Sequence, residues 1–174
     1  MLALALVLLG ATMRLEPHLA NFAPIAAIAL FAGVYLKKSY ALILPVAAMI
    51  LSDMFIGFNS WQSRLSVYGS FMLVGLIGLA VKKKKNILTV AGGAVSGSII
   101  FYLITNFAYL YPISMYPHDL SGIISSYYNA LPFFRNTMAG DLFYTGLLFG
   151  AYESAMVIAA KRKAEKPGAL TTLS

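Results

Sequence analysis

Few residue types in this chain occur in a pattern that could carry catalysis. His18 and His118 stand alone, with no second histidine one helical turn away, and the chain has no cysteine, so a metal site is not expected. No serine lies in a Gly-x-Ser-x-Gly turn, and no Gly-x-x-x-x-Gly-Lys-Ser/Thr phosphate-binding loop occurs. The sequence therefore predicts a protein that is not an enzyme and that holds no cofactor.

Polar side chains that are unusual in so apolar a chain gather at one end of its predicted segments. Asp53 lies about 9 Å along a helix from Asn59, so its carboxylate should lie inside the helix bundle and find a partner such as Arg64 or Arg135. Aromatic rings crowd the same end. Together these groups favour a binding site for a small, partly polar solute. The predicted binding residues are Asn21, Asp53, Asn59, Trp61, Arg64, Asn106, Tyr109, Tyr116, Asn129, Arg135, Asn136 and Asp141.

Structural roles could explain the same residues. Tyrosine and tryptophan form belts at membrane interfaces in most membrane proteins, and Asn21 and Asn136 could cap helices. Asp53 and Asp141 could simply neutralise the two arginines. Glu153, in the last apolar segment, could serve a proton relay, reach toward the lysines that follow it, or bond a neighbouring helix.

The basic residues predict how the segments cross a membrane. Ten of the thirteen Lys and Arg residues fall in three clusters, and one cluster follows every second apolar segment. Retained Lys and Arg mark the cytoplasmic side, so the net charge of +7 indicates topology rather than nucleic-acid binding. With 60% hydrophobic residues, the chain is predicted to be a multi-pass protein of the inner (cytoplasmic) membrane. The clusters are Lys37–Lys38, Lys82–Lys85 and Lys161–Lys166.

The sequence predicts an all-α integral membrane protein with six transmembrane helices and both termini cytoplasmic. The first segment is short for a crossing, about 18 Å, yet it lacks the basic start and the cleavage site of a signal peptide. The predicted segments are Leu2–Met13, Asn21–Leu36, Tyr40–Phe58, Val67–Val81, Ile87–Tyr109 and Met138–Ala160.

Two further elements complete the predicted organisation. Between the fifth and sixth segments, apolar residues repeat at helical spacing from Leu120 to Leu131. This pattern predicts a short amphipathic helix at the outer interface. Residues 1–163 should form a single membrane domain, and residues 164–174 a short disordered cytoplasmic tail.

Several short motifs resemble a family of small membrane proteins of unknown function that are described as candidate transport proteins. The likeness spans nearly the whole chain. The motifs are Arg14-Leu15-Glu16-Pro17-His18, Asn21-Phe22-Ala23-Pro24-Ile25-Ala26-Ala27, Leu51-Ser52-Asp53, Thr105-Asn106-Phe107, Tyr116-Pro117, Ala130-Leu131-Pro132-Phe133-Phe134-Arg135-Asn136-Thr137 and Gly140-Asp141.

In size and topology that family looks like the S components of energy-coupling factor (ECF) transporters. S components bind vitamins at the outer face and dock on a membrane scaffold subunit that works with two ATPases. The resemblance implies a subunit that binds a vitamin-like, even cobalamin-related, solute, although the chain lacks the cysteine that one similar group places near cobalt. S components dock through small residues, typically an Ala-x-x-x-Ala step. In this chain that step occurs in the second segment, and it predicts docking residues at Ala23, Ala27, Ala29 and Gly33.

Two other classes of function remain open. The chain could be an accessory or structural subunit of a larger membrane complex, with its polar end bound to protein. It could also be a proton-coupled carrier that uses Asp53, Asp141 and Glu153. The sequence shows no inverted repeat and no matched pair of broken helices, which disfavours the carrier.

Overall fold

A computed structural model describes residues 2–12, 21–57, 60–112 and 114–164 of the chain. These residues form helices joined by short connections, with 3₁₀ turns at Lys82–Lys84 and Ala108–Leu110. The α-helices are α1 (Leu2–Thr12), α2 (Ile25–Tyr35), α3 (Lys38–Ile56), α4 (Trp61–Val81), α5 (Ile87–Thr105) and α6 (Leu120–Ala164). The motif at residues 14–18, Asn59 and the predicted tail beyond residue 164 lie outside the described residues.

Side chains cap the N-terminal ends of three of these helices. At the start of α5, Asn86 accepts from the Thr89 backbone N–H and Thr89 accepts from the Asn86 N–H, both at 2.9 Å, which makes a capping box. At the start of α4, the Ser60 hydroxyl accepts from the Ser63 backbone N–H. Before α6, the Asp119 carboxylate accepts from the Gly122 N–H at 2.8 Å and from the Ser121 hydroxyl at 2.7 Å. These bonds lower the pKa of Asp119, because they favour its ionised form.

Helix α2 forms the centre of the bundle. Every residue from Ile25 to Val34 is buried, and the helix packs against α1, α3, α4, α5 and α6. Its sequence explains this position, since a helix that is apolar on every face is one that neighbours must surround.

Glycines bring α2 and α4 unusually close. A Cβ on Gly33 would lie 2.4 Å from the carbonyl oxygen of Gly75, and a Cβ on Gly78 would lie 2.4 Å from that of Leu30. Of the predicted docking residues, Ala27, Ala29 and Gly33 are buried among the helices of this chain, where a partner helix cannot contact them, whereas Ala23 is half-buried just before α2. The close spacing of small residues serves internal packing.

Four helices within the described ranges are long and apolar enough to cross a membrane. Their spans are Lys38–Phe55, Trp61–Lys84, Ile87–Thr105 and Leu120–Ala164. Helices α1 and α2 have 11 residues each, roughly 16 Å, against a hydrocarbon core of about 30 Å. Large apolar side chains such as Phe55 and Ile87 are exposed on the outside of the bundle, as expected of a surface that meets lipid.

Helix α6 is a single helix of 45 residues, roughly 68 Å long. The short amphipathic helix predicted from Leu120 to Leu131 is not a separate helix: it is the first part of α6, which continues through Pro132. Proline removes one backbone hydrogen bond and favours a kink or an end, but the buried stripe of α6 continues past it. Ser126 and Ala130 precede Pro132 on that stripe, and Thr137 and Asp141 follow it. These tertiary contacts hold the helix continuous.

Candidate functional site

Among the described residues, the first two lysine clusters and the predicted binding residues lie in opposite halves of the bundle. We call the end that carries Lys37–Lys38 and Lys82–Lys85 the lysine end. There the Lys82 Nζ donates to the Leu36 carbonyl oxygen at 3.2 Å. At the opposite end, the Tyr68 hydroxyl of α4 donates to the Asp53 carboxylate of α3 at 2.5 Å.

A cavity of about 340 Å³ lies between α2, α3, α4, α5 and α6, in the half of the bundle away from the lysine end. We call it the polar cavity, because Asn21, Thr137 and Asp141 line part of an otherwise apolar wall. The apolar lining comes from Ala23, Ile25, Ala26, Met49, Val67, Phe71 and Phe101. Two of the predicted binding residues, Asn21 and Asp141, therefore share one cavity.

Asp141 is the ionisable residue among those that line the cavity, and it is buried at 2% exposure. The Ser98 hydroxyl of α5 donates to its Oδ2 at 2.6 Å. A carboxylate can accept about four hydrogen bonds, and Ser98 is the side chain in the described ranges that donates to Asp141. A carboxyl group within a membrane helix is costly to keep there and is typical of a functional position. Its remaining acceptor capacity is available to a molecule in the cavity.

Two aromatic rings contribute to the apolar wall of the polar cavity. Phe71 of α4 and Phe101 of α5 stack with ring centroids 5.2 Å apart and an interplanar angle of 23°. On α6, the Thr137 hydroxyl donates to the Phe133 carbonyl at 3.0 Å, so its oxygen remains able to accept. The cavity can thus hold a ring against an apolar surface while polar groups bind its edge.

Three other predicted residues lie next to the polar cavity without lining it. Asp53 is one helical turn beyond the lining residue Met49, and it is buried at 8% exposure. Arg64 lies three residues before Val67 on α4, and Asn136 directly precedes Thr137 on α6. The bond from Tyr68 gives Asp53 a structural role in joining α3 to α4.

Asn106 and Tyr116 belong to a second, smaller cavity of about 190 Å³ near the start of α6. The Asn106 side chain donates to the Tyr102 carbonyl at 2.9 Å, at the C-terminal end of α5. The Asn106 backbone carbonyl in turn accepts from the Ser126 hydroxyl at 2.8 Å. These bonds attach the end of α5 to α6, so Asn106 acts here as a helix cap.

The other predicted binding residues are exposed and line none of the cavities described. Tyr109 fixes the connection before α6, since its hydroxyl donates to the His118 carbonyl at 2.7 Å and its ring stacks on the His118 ring. Trp61 is 66% exposed at the start of α4, which suits an interfacial anchor. Asn129 and Arg135 are exposed on α6.

Several residues that line the polar cavity, and Ser98 beside it, were not predicted from the sequence. Ser98, Thr137, Phe71 and Phe101 are of types that are common in membrane helices, so composition alone does not single them out. Thr137 does lie within the motif that ends in Arg135-Asn136-Thr137, which could have marked it. Ser98 directly follows Gly97 on α5, and the packing of α5 against α6 brings its hydroxyl to Asp141.

A third feature, at the lysine end, joins α2, α5 and α6. Lys85 forms an ion pair with Glu153, and the Tyr35 hydroxyl donates to the same carboxylate. The Lys85 Nζ also lies 4.8 Å from the centroid of the Tyr35 ring. Glu153 therefore bonds side chains of neighbouring elements, Lys85 before α5 and Tyr35 of α2, which was one of the roles that the sequence left open. No cluster of three or more potential metal ligands occurs within the described ranges.

The fold and the polar cavity define a small all-helical protein with four helices able to cross a membrane. The chain belongs to a family of unknown function, DUF6580, whose model matches residues 1–165. No curated protein and no solved structure matches the chain significantly. The match confirms the resemblance to a family of unknown function, and that family's description assigns no activity.

Proposed function

We propose that the protein is the solute-binding subunit of an importer, similar to the S components of ECF transporters. The observation that carries this proposal is the polar cavity, where a buried carboxyl group faces a void large enough for a small molecule. A scaffold subunit and ATPases would supply the energy for transport. The protein would lie in the inner membrane with six crossings, both termini in the cytoplasm and the polar cavity toward the outside.

The dimensions of the polar cavity restrict the class of solute. Its volume of about 340 Å³ lies near the lower end of the range for small-molecule sites, about 300–1,000 Å³. The stacked wall of Phe71 and Phe101 suits a single flat ring, and Asp141 suits hydrogen-bond donors such as a protonated amine or an amino group on a heterocycle. A corrinoid is much larger than this cavity, so we favour a one-ring vitamin-like solute over a cobalamin-related one.

Removing the charge of Asp141 is expected to abolish solute binding. We expect native mass spectrometry of the protein purified from cells in rich medium to detect a bound small molecule. The Asp141→Asn variant should lose this molecule because an amide cannot pair with a cationic donor. Addition of the identified molecule at about 100 times its Kd should stabilise the wild type by about 2.7 kcal/mol, and this stabilisation should vanish in the variant.

Asp119→Asn provides the matched control, since it makes the same chemical change at an exposed position outside the polar cavity. It should retain the molecule at wild-type occupancy. Equal occupancy in Asp141→Asn and the wild type would exclude the polar cavity as the solute site.

Accessibility of single cysteines tests the proposed topology. The chain has no cysteine, so Leu2→Cys, Lys83→Cys and Met115→Cys each introduce one reactive site. We expect a membrane-impermeant maleimide to label Met115→Cys in intact cells, and to label the other two only after the membrane is permeabilised. Labelling of Leu2→Cys from outside would contradict the proposed first crossing. Labelling of Lys83→Cys from outside would contradict the proposed orientation of the protein in the membrane.

A further inference from the structure

The turn before α2 places Asn21 in the wall of the polar cavity. Asn21 is exposed and lines that cavity together with Asp141. Its backbone has a φ of 60°, the one positive φ of a non-glycine residue within the described ranges. Asparagine adopts this left-handed conformation more readily than most residues that carry a side chain. Glycine would satisfy the backbone equally well, so the amide group itself needs a separate explanation.

Contacts of the next residue hold this turn against α6 beside the buried carboxyl group. A Cβ added to Gly140 would lie 3.1 Å from the Phe22 Cα, so the absence of a side chain at Gly140 lets the Phe22 backbone lie this close. The centroid of the Phe22 ring is 5.5 Å from that of Tyr144 and 5.8 Å from that of Phe143. Phe22 therefore attaches the turn to the segment of α6 that contains Asp141.

The distance between the two polar residues is set by this attachment. Asn21 directly precedes Phe22. Asp141 directly follows Gly140. Because consecutive Cα atoms are about 3.8 Å apart, the contact described above keeps the Cα atoms of Asn21 and Asp141 within about 12 Å of each other. A six-membered ring with two polar substituents can form a hydrogen bond to each side chain across that distance.

The two side chains recognise different chemistry. An ionised carboxyl group such as that of Asp141 only accepts hydrogen bonds, whereas the amide of Asn21 donates through Nδ2 and accepts through Oδ1. An amide on the cavity wall therefore complements a group that both accepts and donates. A carboxamide, or a ring nitrogen beside an amino group, has this property.

We propose that Asn21 determines the specificity of the solute site. The solute is a single flat ring with two polar edges. One edge donates to Asp141, and the other both donates to and accepts from the Asn21 amide. This inference rests on the proposed binding of a solute in the polar cavity, and it adds the second group by which the solute is recognised.

Two related amines test this assignment on the purified full-length protein. Benzylamine carries a ring and a cationic donor, and 3-(aminomethyl)benzamide adds a carboxamide to the same framework. In calorimetric titrations, we expect the wild type to bind 3-(aminomethyl)benzamide at least about 10-fold more tightly than benzylamine. Asn21→Gly should bind both amines with the affinity that the wild type has for benzylamine. It should keep the wild-type melting temperature, because glycine adopts a positive φ without strain.

Two further variants separate the amide from the turn. Asn21→Ala also loses the amide, but it strains the turn. It should bind the amines like Asn21→Gly and melt at a lower temperature. Asn129→Ala changes an exposed asparagine of α6 that does not line the polar cavity, and it should discriminate between the amines like the wild type.

The possible outcomes distinguish this inference from the proposed function. Asn21 is only a turn residue, and the inference is overturned, if the wild type binds both amines equally or if Asn21→Gly still prefers 3-(aminomethyl)benzamide. If neither amine binds the wild type, or if Asp141→Asn binds both like the wild type, the proposed solute site fails and the inference fails with it.

Discussion

Gly78→Ala is expected to destabilise the folded protein by about 1–3 kcal/mol, while Gly69→Ala on the same helix leaves it unchanged or more stable. Both changes replace glycine by alanine within α4, which favours the helix by about 1 kcal/mol at each position. Their surroundings differ. A Cβ at Gly78 would lie 2.4 Å from the Leu30 carbonyl oxygen and 2.8 Å from the Gly33 Cα, whereas a Cβ at Gly69 would meet nothing within 4 Å. Backbone atoms of α2 cannot move aside without shifting the whole central helix.

Thermal unfolding of the two variants in one detergent measures this difference. Gly78→Ala should unfold at a lower temperature than the wild type, and Gly69→Ala at the same or a higher temperature. Equal shifts for the two variants would contradict the close packing of α2 against α4. The same experiment bears on Ala27, which is buried on α2. Ala27→Leu is therefore expected to destabilise the protein itself, because the larger side chain has no room at this buried position.

Asp141→Leu is expected to abolish solute binding without lowering the stability of the protein. A leucine removes the carboxyl group on which the proposed site depends. Its larger side chain can extend into the adjacent polar cavity, and replacing a buried polar group by an apolar one is often neutral or stabilising. The Ser98 hydroxyl is not stranded, because it can donate to the Ala94 carbonyl at 3.1 Å. A carboxyl group that the fold does not need is one kept for function.

Ser98→Ala, in contrast, should lower the stability of the protein. It removes the hydroxyl that donates to the buried Asp141 carboxyl, which should cost about 1–3 kcal/mol. Adding Asp141→Leu to Ser98→Ala should restore stability, because no buried carboxyl then remains. Unfolding temperatures of the two single variants and the double variant, with solute occupancy by native mass spectrometry, measure both effects. A large loss of stability in Asp141→Leu would make Asp141 a structural residue.

Local sequence patterns predicted several features of the structure well. The start of α5 at Ile87 and the end of α4 at Val81 agree with the prediction, because lysines and the capping pair Asn86 and Thr89 act on their immediate neighbours. Hydropathy predicted the long apolar helices, because a helix that crosses a membrane needs about 20 consecutive apolar residues. The sequence also placed Asn21 and Asp141 at one end of the bundle.

Other features depend on which helices touch, and the sequence alone did not determine them. A membrane helix is apolar toward lipid and toward its neighbours alike, so hydropathy does not tell the packed face from the exposed one. Ala23, Ala27, Ala29 and Gly33 were therefore predicted to contact a partner, although the last three are buried within the chain, and no role was predicted for the exposed Gly146 and Gly150. The helix predicted from Leu120 to Leu131 is instead the first part of α6, because contacts along α6 keep it continuous past Pro132.

The site itself shows the same division between local pattern and tertiary contact. Residue types and helix ends indicated a polar region that includes Asn21, Asp53 and Asp141. Only the packing of α5 against α6 brings Ser98 to Asp141, 43 residues apart in sequence, and only the convergence of five helices leaves a cavity beside that carboxyl. Hydrogen bonds and voids between distant segments arise from tertiary contacts, and for that reason the structure rather than the sequence distinguished the cavity residues from the helix caps and the interfacial anchors.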